Sequence, residues 1–409
     1  MAGMKLKALL CAGALALSAP ARADIVCDWM ELGTTVSEAS ATPGTPPSVE
    51  SARSDTHLAL AMFEALNAID RRYESWVKLA PAPKGASQNA AAATAAYQVL
   101  LHYYPGQKAT LDDAYMVSMS LVPDEGSRAA GRAVGEAAAK AVLATGAADD
   151  KAAPVYYRPR TSPGVWVATQ QPVLPMWLLT MKRWVLPAAD SVRPGPPPAL
   201  NSARWAQDFN EVRTLGAKAS KVRTPLQTIQ ARFWVATDLD PTLRRIADLP
   251  GRSPVQNARL FSLVSMASDD AGVAIADAKY HYNFWRPITS IRNAEEDGNP
   301  ATAPDSAWEP LLQTPNHPEY PCGHCIGAAT IAAVLETEIG QKPPGGVQFT
   351  TRRVPGVVQS LPTLDAYVKA MSMSRIYAGV HYRFSNEAAE EMGRKIGRKT
   401  VATALRPLK

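Results

Sequence analysis

The feature that most narrows the fold is a long succession of segments with apolar residues three and four apart, each closed by its own proline or glycine. Within residues 54–76, Leu58, Met62, Phe63, Leu66 and Ile69 recur at helical spacing, with Arg71, Arg72 and Glu74 toward the end. Such a stripe predicts an amphipathic helix. The alanine-dense run 87–103 stops at Pro105-Gly106, residues 109–121 stop before Pro123, and residues 125–143 stop at Gly146. Proline removes a backbone donor and clashes with the preceding turn, and glycine frees the chain to leave the helix, so each is a stop signal. Helical spacing resumes over 202–215, 225–236, 241–247, 255–282, 323–339, 364–377 and 386–405. Strand-like alternation is confined to residues 345–358. The expected fold is all-α, a large protein built of packed helical bundles.

The ends and the composition bound the setting. Lys5 and Lys7, the apolar stretch from Ala8 to Leu17, and Ala21-Arg22-Ala23 before Asp24 have the layout of a secretory signal peptide over residues 1–23. Its removal would take Cys11 away and lower the formal charge from +6 to +3, because it carries Lys5, Lys7 and Arg22 and no acid. That weak and scattered basicity, without a nucleic-acid motif, argues against nucleic acid as a partner. Every later hydrophobic run is soon interrupted by charge, proline or glycine, so no membrane span is expected. The expectation is a secreted protein, with the periplasm the simplest compartment, where a Cys322–Cys325 disulfide is chemically permitted. Beyond the leader, residues 24–254 form an N-terminal helical region with a proline- and tryptophan-rich wrap at 147–200, and residues 255–409 a C-terminal bundle. The two read as one continuous structural domain. Trp166, Trp177 and Trp184 argue that the wrap is packed, because linkers are poor in aromatics.

Chemistry concentrates in three segments. The first, at the end of the 255–282 helix, reads Lys279-Tyr-His-Tyr-Asn-Phe-Trp-Arg286-Pro287, where two cations straddle a helix end. The second, His317-Pro-Glu-Tyr-Pro-Cys-Gly-His-Cys-Ile326, leads into a helix whose first-turn N–H groups can receive an anion, and Gly323 permits close backbone approach. The third, Ser374-Arg375-Ile-Tyr-Ala-Gly-Val-His381-Tyr-Arg-Phe-Ser385, carries an arginine and, six positions on, a histidine, with Gly379 able to end the helix and turn the chain. Alone, each has a bland reading as solvated charges, a capping turn or a satisfied core histidine. Together they supply three cations, a helix N-terminus and two histidines, a set able to hold an oxyanion, attack or ligate it, and move a proton.

This triple pattern resembles the vanadium-dependent haloperoxidases and the type-2 phosphatidic-acid phosphatases, whose signature reads Lys-x6-Arg-Pro, Pro-Ser-Gly-His and Ser-Arg-x5-His-x3-Asp. The resemblance implies that Lys279, Arg286, Cys322, Gly323 and Arg375 bind vanadate or phosphate, that His324 is the acid/base group, and that His381 bonds to vanadium or attacks phosphorus. It also implies the family's fold and the possibility of a homodimer. Two positions depart from the signature: Cys322 replaces a hydrogen-bonding serine, and Ser385 replaces the aspartate that orients the histidine. Ser385, Glu387 or a backbone carbonyl is then the expected partner of His381. His317 and Trp285 are candidate halide-site residues, and a histidine at 317 looks more like the bromide or iodide members than the chloride ones.

The first functional expectation is therefore a secreted haloperoxidase-like enzyme with a vanadate cofactor, oxidising bromide or iodide with hydrogen peroxide. The second is a soluble periplasmic acid phosphatase, without vanadate, acting on a phosphate ester through a phosphohistidine. Three weaker readings remain. Cys322-Gly-His-Cys325 is a dithiol sequence seen in disulfide isomerases, although proline precedes it and the surroundings are helical. Zinc binding by His317, Cys322, His324 and Cys325 has the right ligand types but too little chain between them for a tetrahedron. Loss of the family aspartate also fits a non-catalytic oxyanion-binding protein.

Overall fold

The computed structural model describes residues 24–41, 49–146, 157–169, 176–343, 345–351 and 353–409. The expected leader lies outside them, as does the side chain of Trp177. Thirteen α-helices are seen among the described residues: α1 Ile25–Ser40, α2 Val49–Ile69, α3 Gln88–Tyr103, α4 Lys108–Ser120, α5 Glu125–Gly146, α6 Ala203–Leu215, α7 Pro225–Phe233, α8 Asp240–Ala247, α9 Pro254–Tyr282, α10 Pro287–Arg292, α11 Gly323–Ile339, α12 Leu364–Tyr377 and α13 Arg383–Thr403. Three short strands, β1 Thr237–Asp238, β2 Val347–Thr351 and β3 Gln359–Leu361, form one antiparallel sheet in the order β1-β2-β3. The fold is all-α; only β2 of its small sheet falls within the expected strand stretch 345–358, while β1 and β3 pair with it from outside that stretch.

Two differences from the sequence reading have local causes. Helix α1 follows directly on residue 23, where Asp24 caps it by accepting from the Val26 N–H and Val26, Trp29, Met30 and Gly33 face inward. Helix α2 ends at Ile69 rather than near residue 76. The buried Asn67 side chain accepts from the Arg72 and Tyr73 N–H groups and donates to the Tyr73 carbonyl, closing a turn that replaces further helix.

Helix α9, 29 residues and so about 44 Å long, belongs to both halves. It packs against α2 of the first bundle, where α2, α3 and α5 associate, and against α11 and α13 of the second. One hydrophobic cluster accordingly runs through both, from Val26 and Leu58 to Met392 and Ile396. The α11–α13 seam is close: a Cβ at Gly393 would stand 2.4 Å from the Ile326 carbonyl oxygen, and one at Gly397 2.5 Å from that of Thr330.

The wrap is packed where it is described. Val165 bridges Phe284, the Trp166 N–H donates to the Asn283 carbonyl at 2.8 Å, and the Trp285 N–H donates to the Gly164 carbonyl at 3.0 Å. Asn283 ends α9 in the left-handed region, so the wrap grips the chain where it must leave the helix and aim Arg286. A second, aromatic cluster of Trp205, Phe209, Phe284, Trp285, Trp308, Tyr320, Tyr382 and Phe384 lies beside it.

Gly379 performs the turn expected of it. It takes φ +78°, and a Cβ there would meet the Gly216 carbonyl oxygen at 2.5 Å and Pro310 at 2.9 Å. Gly379→Ala should therefore destabilise the protein by about 1–3 kcal/mol through overpacking and a left-handed backbone that disfavours a side chain. Denaturant unfolding with an unchanged m-value is the check, and an unshifted midpoint would contradict it.

Candidate oxyanion-binding site

Three residues of the site stand next to an aromatic anchor in the second cluster: Trp285 before Arg286, Tyr320 after Glu319, Tyr382 after His381. Trp205 packs on Trp285 and Tyr382 at 5.9 and 5.0 Å between ring centroids, and the Tyr382 hydroxyl lies 2.5 Å from that of Ser290. Burying large rings on either side of a polar residue fixes its backbone, so the polar side chains emerge from a rigid wall.

Lys279, Arg286, Arg375 and His381 converge there, all nearly or fully buried. The Lys279 ammonium donates to the carbonyls of Pro318 (2.9 Å), Glu319 (2.9 Å) and Pro321 (2.5 Å). Through these acceptors Lys279 holds the 317–322 loop and contributes positive field to the site. Burial, then the neighbouring Arg286, push its pKa down, while the carbonyl cage favours the charged form.

Arg286 ties the same loop to the third segment. Its Nε donates to the His317 carbonyl at 2.9 Å, Nη1 to the Val380 carbonyl at 2.8 Å and toward His381 Nε2 at 3.2 Å, and Nη2 toward His317 Nδ1 at 3.0 Å. Arg375 is different. Its Nε and Nη1 are buried without a hydrogen-bond partner. A buried guanidinium with two unmet donors is a costly arrangement in an apolar interior and the natural arrangement beside a polyoxyanion. Burial lowers both arginines to about 10, which leaves them charged at neutral pH.

His381 is oriented by a residue absent from the signature. Its Nδ1 lies 2.7 Å from Glu319 Oε1, which also accepts from the Tyr382 N–H at 3.2 Å. The expected partners are elsewhere. Glu387 is exposed and paired to Arg204 at 2.6 Å. Ser385 is buried near Glu319 and lowers its pKa, yet its hydroxyl, like Glu319 Oε2, closes no hydrogen bond within normal geometry. Burial is the larger influence and raises Glu319 to about 7, against Arg286 and Lys279. Glu319 was legible only as a letter in the His-Pro-Glu-Tyr run, because nothing local links it to a histidine 62 residues on.

The second segment forms the floor. Cys322 is the N-cap of α11 and its sulfur accepts from the Cys325 N–H at 3.2 Å. The two cysteines are joined in a disulfide, so Cys322 has no thiol proton for an anion and the expected side-chain contact is replaced by a cap. Both sulfurs are fully buried, beyond reach of an attacking thiolate, and neither is free to ligate zinc. Gly323 opens the helix, and a Cβ there would lie 3.8 Å from Lys279 Cε. His324, in the first turn, donates from Nε2 to the Val235 carbonyl at 3.1 Å, which leaves Nδ1 as the ring atom free to exchange a proton. His317 is part of the cluster, while Trp285 sits in the aromatic wall with its indole N–H buried and unpartnered.

A family model for the second helical-bundle domain of vanadium chloroperoxidase (VCPO) matches residues 259–409, the span that carries all three segments. Together with the relatives below, this match supports the vanadium haloperoxidase superfamily for the chain. Vanadium chloroperoxidase of Curvularia inaequalis is 29% identical over 268 residues, 48% of this chain and 43% of that protein, so the match spans less than half of the relative's length. Among solved structures, the first bacterial vanadium-dependent iodoperoxidase superposes with a TM-score of 0.75 at 22% identity, covering 94% of this chain and 97% of that one. A holo-type bacterial vanadium-dependent chloroperoxidase superposes at 0.68 and 15% identity, covering 91% of each. No helix among the described residues is long and apolar enough to cross a membrane.

The site's histidines are held neutral. Burial pushes His381 and His317 well below the ordinary range, and pushes His324 down to about 3, with Arg375 and the other cations adding to it. His324 is thus uncharged in the fold and protonated in the unfolded chain below pH about 6.5. Its contribution to stability is complete above that pH and is lost as pH falls toward about 3. Acid unfolding followed by circular dichroism should therefore be less steep between those limits in His324→Gln than in wild type, and an identical profile would contradict the assignment.

Proposed function

We propose that the protein is an enzyme of the vanadium haloperoxidase type, holding vanadate at His381 and oxidising bromide or iodide with hydrogen peroxide. The observation that carries this reading is the buried, partnerless pair of Arg375 N–H groups beside Arg286, Lys279 and an Nε2 lone pair on His381. Three buried cations face one buried carboxylate, Glu319, and the balance calls for an anion of more than one negative charge. The donor set fits vanadate: guanidinium N–H groups for its oxygens, first-turn N–H groups of α11 including that of Gly323, and one imidazole nitrogen for the metal.

When bound, vanadate would supply Lewis-acid activation of peroxide toward halide. The chain's own residues do the rest. Arg375 and Arg286 stabilise negative oxygen charge in a dry, preorganised setting, where such donors act most strongly. His381 keeps its proton on Nδ1 and presents Nε2. His324, uncharged at neutral pH, accepts a proton at Nδ1 and returns it. The ring of aromatic residues excludes water that would screen these charges. His317, linked to Arg286, stands where a halide could be steered. The similarity to an iodoperoxidase and to chloroperoxidases is compatible with a halide substrate here, and the histidine at 317 favours bromide or iodide. Export to the periplasm, read from residues 1–23, is part of this proposal.

Purified protein loaded with vanadate should brominate or iodinate an acceptor dye in the presence of peroxide. Arg375→Ala should weaken vanadate retention and lower kcat/KM by about 100-fold or more, on the scale seen when one oxyanion donor is removed. Release of phosphate from a chromogenic ester, with no halogenation at any vanadate concentration, would overturn the proposal in favour of a phosphatase using His381 as nucleophile.

A further inference from the structure

We propose that Glu319 is the carboxylate that positions His381, taking over a role that the superfamily signature gives to the residue four places after that histidine. The inference deepens the function proposed above and rests on its reading of His381 as the residue that bonds the anion's central atom.

Ser385, at that fourth place, makes no hydrogen bond to His381, and Glu387 is committed to Arg204. Glu319 Oε1 is 2.7 Å from His381 Nδ1, the pair is almost wholly buried, and the Tyr382 N–H holds the same oxygen at 3.2 Å. In its ionised form the Glu319 oxygen can only accept, so the Nδ1 proton then lies on the bond between them. Arg286 Nη1, 3.2 Å from Nε2, can only donate, so Nε2 carries the lone pair. Two independent neighbours thereby select one tautomer, the one a metal ligand or nucleophile needs.

The loop that delivers Glu319 is itself held by the first segment. Lys279 grips the carbonyls of Pro318, Glu319 and Pro321, and Arg286 grips that of His317. The two cations therefore have a second task here: they fix the backbone from which a carboxylate reaches His381. The charged and titratable groups that bear on this carboxylate are Lys279 from α9, Arg286 ahead of α10, Tyr320 beside it in the loop, and His381 and Tyr382 ahead of α13.

Glu319→Gln keeps the shape and removes the charge, whereas Glu319→Ala removes the hydrogen bond. Vanadate and inorganic phosphate binding by titration calorimetry, and the His381 tautomer by nitrogen-15 NMR on histidine-labelled protein, separate the possibilities. In Glu319→Gln, vanadate should bind about 10–100-fold more weakly, the range for loss of a partner behind a metal ligand. Phosphate affinity should be unchanged or tighter, because a negative charge has left the pocket. In Glu319→Ala, the single Nδ1–H tautomer of His381 should become a mixture. Equal weakening of both anions, or an unchanged tautomer in Glu319→Ala, would overturn the positioning role. Wild-type protein that holds vanadate no more tightly than phosphate would instead overturn the haloperoxidase reading, and the tautomer result would then decide Glu319 by itself.

Discussion

Three cations buried around a single carboxylate are the constraint on which the second half of this molecule depends. Removing a guanidinium or an ammonium from water is expensive unless every donor is met. Lys279 meets its requirement with loop carbonyls and Arg286 with carbonyls and two histidines, so both are partly structural. Arg375 keeps two donors open. Two of the cations thus also brace the pocket, while the third leaves two donors unmet in it.

The aromatic wall makes that arrangement possible. Trp205, Trp285, Tyr320, Tyr382 and Phe384 form a chain of stacked and tilted ring contacts, with successive centroids about 5–6 Å apart, and Arg286, Glu319 and His381 are each a direct chain neighbour of one of them. Rigid rings remove the rotational freedom that long charged side chains would otherwise use to relax away from one another. The wrap at Val165 and Trp166 completes the wall by pairing with Asn283 to Trp285. A proline-rich segment far from the site in sequence thus sets the direction in which Arg286 leaves α9.

The disulfide gives the second segment a different role from the one its cysteines suggest. Joined to each other and buried, they cap and brace the first turn of α11, so the chemistry of that turn passes to backbone N–H groups and to His324. A sulfur already in a disulfide is also less open to oxidation than a thiol would be.

Helix periods, stop signals and three spaced motifs were enough to read the all-α class, most helix limits and the convergence of Lys279, Arg286, Gly323, His324, Arg375 and His381, because those patterns are local or belong to a signature. The end of α2 was misplaced because a buried Asn67 closed a turn through side-chain bonds that no periodicity reveals. The partner of His381 was misplaced for a related reason: Glu319 lies 62 residues away, and only the loop pinned by Lys279 brings it within 2.7 Å. Periodicity and spacing report which residue types can share a face or a turn. Which oxygen meets which nitrogen is decided by packing between segments distant in the chain, and here that packing moved the orienting carboxylate from α13 to the loop before α11.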